Sequence, residues 1–173
     1  GSVAEAGAKL GMDEEQIYGK MMGRTRAGEP LARPGEGATN DFDYANDAQG
    51  KLCPFQAHIR RTNPRQTIDD ENFRPTPRFL RRGLSYGPAH RDGEEGYPER
   101  GIFFMAYNSS IAEQFEVIQR WVNSGNSTGI PTFQNDPLMG VSPPGSRRTF
   151  CFEHEGELKR IDVPTAFVEL KWG

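Results

Sequence analysis

The chain has 173 residues, a formal net charge of −3 and 35% hydrophobic residues, with a pI near 5.7 and a mean hydropathy of −0.73. That balance argues against a general nucleic-acid binder, which needs a basic face for phosphates, and no apolar run nears the roughly 20 residues of a membrane-spanning helix. The length suits one domain with a real core, but 20 glycines and 13 prolines exceed the roughly 12% these two residues usually contribute. A loop-rich domain that takes part of its order from what it wraps is expected. The N-terminus lacks a basic-then-apolar signal segment, so a soluble protein, cytoplasmic rather than secreted, is the expectation.

In chain order, residues 3–22 carry alanine, leucine, isoleucine and methionine at helical spacing, and Asp13, Glu14 and Glu15 suit a helix start after Gly11. One or two helices are predicted there. From 27 to 51 glycine, proline, asparagine and aspartate dominate without an apolar period, which predicts a long loop of the kind that usually carries function or stays disordered. Residues 54–62 predict a short helix bearing His58, opened by Pro54 and stopped by Asn63 and Pro64. Residues 78–86 read as a strand. Residues 102–107 read as a second, aromatic and apolar throughout, as when both faces are buried. Alternation puts Ile102, Phe104 and Ala106 on one side and Phe103, Met105 and Tyr107 on the other. Ser110 is placed to cap a helix over 111–123 with Ile111, Phe115, Ile118 and Val122 on one face. Further strands are predicted at 150–152, followed by a charged turn over 153–157, and at 167–172. The sum is an α+β fold, an antiparallel sheet with helices on one face and long loops.

The most informative stretch is 53–65, CPFQAHIRRTNPR. It sets His58 between apolar residues and three arginines. A neutral imidazole so flanked suits an axial ligand of haem iron, and Arg60, Arg61 and Arg65 suit propionates or other anions. A lone histidine in such a run is more often structural, so chemistry leaves both readings open. The other two histidines, His90 in a glycine-rich turn and His154 between glutamates, read as exposed. Cys53 and Cys151 are read as reduced thiols, since two cysteines make no disulfide framework.

The same stretch resembles the proximal-histidine motif of the dye-decolourising (DyP-type) peroxidases, and other pieces resemble that family in order. They are Met22-Gly23-Arg24 through Glu29-Pro30-Leu31, Phe79 to Gly87 (FLRRGLSYG), Gly101 to Asn108 (GIFFMAYN) followed by Ser110 to Glu116, and Asn135 to Gly140 (NDPLMG). The resemblance implies a ferredoxin-like fold in which residues 1–173 form a single domain, the C-terminal, haem-binding half. The family's N-terminal half carries a GxxDG motif with a distal aspartate, and no GxxDG occurs in this sequence. A partner chain supplying that half, and an oligomer, are therefore expected.

By the same resemblance His58 is the iron ligand of haem b, with Ile59 beside it in the cofactor site. Arg81, the first arginine of the LRRG segment, is the distal catalytic cation, with Arg82 the alternate; Phe103 and Met105 line the distal face. A distal cation stabilises charge developing on the leaving oxygen of hydrogen peroxide. A carboxylate accepting the second N–H of the ligand imidazole tunes the iron, and Asp136 is the candidate, with Asp69 and Glu71 as alternatives. Arg60 and Arg65 are candidates for the propionates, because guanidinium pairs bidentately with carboxylate. The implied activity is peroxide-dependent oxidation of an organic donor, a dye or phenol, relayed through Tyr86, Tyr97, Tyr107, Trp121 or Trp172. Two other classes stay open: a non-catalytic haem-binding or haem-handling protein, and a haem-free structural subunit whose basic cluster contacts another chain.

Overall fold

The computed structural model describes residues 3–65, 76–89, 99–123, 132, 134–143, 145–146, 148–163 and 167–171. It divides into two compact units, one of Gly1–Thr76 with Ile118–Gly173 and one of Pro77–Val117. Among the described residues no helix is long and apolar enough to cross a membrane.

The larger unit begins with two helices, α1 (Val3–Leu10) and α2 (Glu14–Met22). Asp13 opens α2 with a reciprocal cap: its Oδ1 accepts from the Gln16 backbone N–H at 2.7 Å, and the Gln16 side chain accepts from the Asp13 N–H at 3.0 Å. Gly23 ends it in the left-handed conformation, φ 92°, where a side chain is strained. The expected long loop follows, holding one short 3₁₀ turn at Ala45–Asp47.

The helix bearing the histidine, α3, runs His58–Thr62. It is shorter than predicted, because Pro54 opens a turn instead: Ala57 N–H donates to Pro54 O, and Ala57 is extended at ψ 139°. His58 thus stands at the first helical position.

The smaller unit holds both predicted strands, each in two pieces. β1 (Leu80–Arg81) pairs with β4 (Ala106–Tyr107), and β2 (Leu84–Tyr86) with β3 (Gly101–Phe103), all antiparallel. Arg81 lies opposite Ala106 and Leu84 opposite Phe103, so two residues intervene on each side and the register survives the break. Arg82 N–H still donates to Met105 O across it, at 2.8 Å. Burial of both faces of 102–107 is not observed: Ile102 is 71% exposed, Phe104 56% and Tyr107 62%. A unit of this size has too little chain to cover two sheet faces. Phe79 does meet Phe104 edge-on, with ring centroids 6.3 Å apart.

Ser110 caps the following helix as predicted, its Oγ accepting from Glu113 N–H. The first turn, Ile111–Phe115, is π-helical, and α4 proper is Glu116–Val122. The wider turn shifts the phase of the apolar face. Ile118, Trp121 and Val122 are buried, whereas Ile111, expected on that face, is 65% exposed.

A hairpin of β5 (Arg148–His154) and β6 (Glu157–Val163) completes the larger unit. Its turn has Glu155 at φ 51° and Gly156 at φ 81°, as a two-residue hairpin turn requires. Phe150, Phe152, Ile161 and Val163 pack with Met12, Ile17 and Met21 in one core cluster. The sequence reading missed β6, whose inward Ile161 and Val163 alternate with the exposed Arg160 and Asp162. The strand expected at 167–172 is absent from the described part: residues 167–171 are irregular, and Leu170 is 85% exposed. Among the described residues this segment has no ladder partner, and without one an apolar run has no reason to become a strand.

Candidate functional site

The first turn of α3 brings the central pair together. His58 Nδ1 lies 2.6 Å from Asp136 Oδ2, across 78 residues of sequence. Asp136 is fully buried at its side chain and His58 26% exposed. The carboxylate is held from its other oxygen, since Oδ1 accepts the N–H groups of Leu138 at 2.8 Å and Met139 at 3.0 Å. Asp136 N–H itself donates to Val122 O at the end of α4. Three donors therefore converge on one carboxylate, and its orientation is fixed by backbone. With the Asp136 carboxylate as acceptor, Nδ1 is the nitrogen that carries the hydrogen-bonded proton, and Nε2 is the one placed to offer a lone pair. That donor set fits a single-histidine axial site. Among the described residues no group of three or more His, Cys, Asp or Glu could hold a metal ion by itself.

The arginines of the 53–65 stretch divide. Arg60, expected at a propionate, is 4% exposed and turned inward. Its Nη1 donates to Asp47 Oδ2 at 2.9 Å and to Cys53 O at 2.7 Å, its Nη2 donates to Asp47 O, and its guanidinium lies over the rings of Tyr44 and Phe55. The same Asp47 carboxylate accepts from Leu52 and Cys53 N–H. Arg60 is thus a structural clasp for the loop ahead of His58, and its burial corrects the propionate expectation. Arg65 is half-buried; its Nη1 donates to Asn40 O and Phe42 O, and its guanidinium lies 4.0 Å from the Phe42 ring centroid. Arg61, which the sequence reading grouped with Arg60 and Arg65 as suited to propionates or other anions, is 1% exposed, and its Nη2 donates to Gln134 O at 2.9 Å. Nothing in the sequence signals either buried arginine, because charge in a polar run reads as solvated.

Ile59 faces a second core cluster, Ala32, Phe42, Tyr44, Cys53 and Ala57, and packs on it with Leu31. A Cβ on Gly23 would sit 2.5 Å from Ile59 Cγ1 and 3.2 Å from Cys53 Sγ, so the end of α2 and the start of α3 meet at a glycine. Burial pushes the Cys53 thiol up to about 12, which makes it inert packing. Cys53 and Cys151 are both free.

The expected distal residues belong to the smaller unit. Arg81 is exposed in β1, Phe103 is 37% exposed in β3, and Met105 lies in the break between β3 and β4. Arg82 is exposed beside Arg81. Of the relay candidates, Tyr86 and Tyr107 are exposed and Trp121 is buried. Asp69, Glu71, His90, Tyr97 and Trp172 lie outside the described residues.

The family model described as "Dyp-type peroxidase, C-terminal" matches residues 12–136. The multifunctional dye peroxidase DyP2 of Amycolatopsis sp. is 39% identical over 153 residues, covering 75% of this chain and 32% of the relative. A deferrochelatase of Yersinia pestis is 32% identical over 111 residues, covering 64% of this chain and 23% of the relative. The solved DyP-type peroxidase of Anabaena sp. superposes with a TM-score of 0.72 at 27% identity, covering 92% of this chain and 37% of that one. The chain thus spans about a third of the length of the curated dye peroxidase it matches, and the α+β, ferredoxin-like class is shared with the solved neighbour. With a family model matched over most of its length, the chain belongs to the DyP-type peroxidase family.

Proposed function

We propose that this chain is the haem-binding, C-terminal half of a DyP-type peroxidase that reduces hydrogen peroxide and oxidises a dye or phenolic donor. The observation that carries the reading is the His58–Asp136 pair, 2.6 Å apart, with the carboxylate held by two further N–H donors. Haem b, when bound, supplies cleavage of the peroxide O–O bond and storage of the oxidising equivalents. His58 offers Nε2 to the iron, and Asp136 holds the imidazole in one tautomer and orientation while adding to its donor strength. Arg65 keeps the propionate role proposed for it; Arg60 does not.

Arg81 is assigned the distal cation, which favours negative charge on the leaving oxygen. Phe103 and Met105 are assigned the apolar lining that keeps water from it. The distal aspartate is assigned to the family's GxxDG half, a motif that does not occur in residues 1–173.

The test is co-expression with a GxxDG-bearing half from a relative, haemin loading, and peroxide-dependent bleaching of an anthraquinone dye. Activity in the pair that falls at least about 100-fold in Arg81→Ala is the expected result, the scale of a lost electrostatic stabiliser. Equal activity in Arg81→Ala sinks the assignment of Arg81. A haem-handling role has a specific footing in the deferrochelatase relatives. It takes over if the loaded pair binds haem through His58 yet leaves the dye unbleached.

A further inference from the structure

We propose that Arg61 is a positioning residue for the His58–Asp136 pair: its buried charge sets how strongly the Asp136 carboxylate draws on the Nδ1 proton of His58, and so the electron density that His58 gives a bound iron. The inference rests on the haem reading and goes beyond it, because Arg61 is buried and is assigned no contact with iron or reactant.

Four observations carry it. Arg61 follows His58 by three positions on α3, a spacing that places both on neighbouring parts of one helix surface. It is among the largest fully buried side chains of the protein, at 1% exposure, although a buried guanidinium keeps its charge. Its Nη2 is tied to Gln134 O, two residues before Asp136. Gln134 is itself anchored, its Oε1 accepting Cys151 N–H from β5 at 2.8 Å and its N–H donating to Thr132 Oγ1. The cation is therefore held on the turn that carries the carboxylate.

Burial disfavours the Arg61 charge, and the negative Asp136 offsets part of that cost. A Coulomb interaction is mutual, so Arg61 stabilises the negative charge on Asp136 by the same coupling. A carboxylate stabilised in this way, and already accepting two N–H groups on Oδ1, pulls less on the His58 proton. Its ring then carries less imidazolate character than an unbalanced Asp–His pair would. Removal of the Arg61 charge should strengthen that pull and favour ferric over ferrous iron.

Two variants separate charge from hydrogen bond. Arg61→Gln keeps a donor for Gln134 O without the charge; Arg61→Lys keeps the charge and changes the donor geometry. Each is loaded with haemin, checked for fold by circular dichroism, and titrated spectroelectrochemically, alone and with Asp136→Asn. We expect Arg61→Gln to shift the ferric/ferrous equilibrium towards ferric by at least about threefold, about 28 mV at 59 mV per tenfold for one electron. Arg61→Lys should shift it less than that, and the Arg61→Gln shift should fall by more than half beside Asp136→Asn. Arg61→Met, of similar volume, takes the place of a glutamine variant that does not fold, with the same threshold. Equal shifts in the glutamine and lysine variants, or a shift undiminished by Asp136→Asn, overturn the proposal and leave the haem reading standing. A wild type whose haem spectrum does not depend on His58 overturns both.

Discussion

Replacing Asp47 with alanine removes the acceptor around which the loop ahead of His58 is built. The Asp47 carboxylate takes Leu52 N–H at 3.0 Å, Cys53 N–H at 2.8 Å and Arg60 Nη1 at 2.9 Å. Asp47 and Arg60 are 5% and 4% exposed, so alanine leaves a guanidinium buried without its counter-ion. The carbonyls of Cys53 and Asp47 still accept from Arg60, which satisfies hydrogen bonds and leaves the charge uncompensated. Breaking one side of a buried pair costs about 3–5 kcal/mol, and backbone N–H groups left without an acceptor push the loss to the upper part of that range. The expected destabilisation is about 4 kcal/mol, read from urea unfolding followed by circular dichroism. Asp47→Leu combined with Arg60→Met should cost less than Asp47→Ala alone, since no charge then stays buried. A loss under about 1 kcal/mol in Asp47→Ala would refute the reasoning, because that is the size of a solvent-exposed pair.

Other outcomes follow from the same geometry. Phe150→Ala empties the centre of the cluster between α2 and the β5–β6 hairpin and should cost about 3–5 kcal/mol in the same unfolding assay. Gly23→Ala places a Cβ 2.5 Å from Ile59 Cγ1 at a φ of 92°; a lowered Tm and weaker haemin binding together are expected, because the clash is transmitted to the residue next to His58. Cys53, buried with its thiol raised from 9.0 to about 12, should resist iodoacetamide at pH 8 while Cys151 reacts, as peptide mass mapping would read. Its folded-state pKa is raised, so its contribution to stability is complete below about pH 9 and is lost as pH rises towards 12. Cys53→Ala should flatten the unfolding free energy over that window.

Local chemistry was the most legible part of the sequence. Asp13 with Gln16 and Ser110 with Glu113 cap their helices through bonds three residues long, and such signals sit in a short window. The π-turn at Ile111–Phe115 was not legible, because apolar spacing assumes a constant 3.6 residues per turn. β6 was hidden by charged residues on its outward side, although Glu155-Gly156 is a usable hairpin signal. Arg60 shows the harder failure. Its partner Asp47 lies 13 residues away across an irregular loop, and no local pattern distinguishes an arginine that folds inward from one that meets solvent. His58 and Asp136 were each named from their place in the family's motifs, and periodicity or composition could not have joined residues 78 apart. The apolar run at 102–107 read as buried because its composition is that of a core strand, yet its side chains are largely exposed in a unit as small as Pro77–Val117.

The central claim is that His58 is the residue through which this chain holds haem, and a haemin titration followed at the Soret band tests it most directly, with wild type beside His58→Ala. A saturable band in wild type that is lost or strongly shifted in a folded His58→Ala protein is the predicted result. Identical bands in the two proteins, or no band in either, would contradict the account.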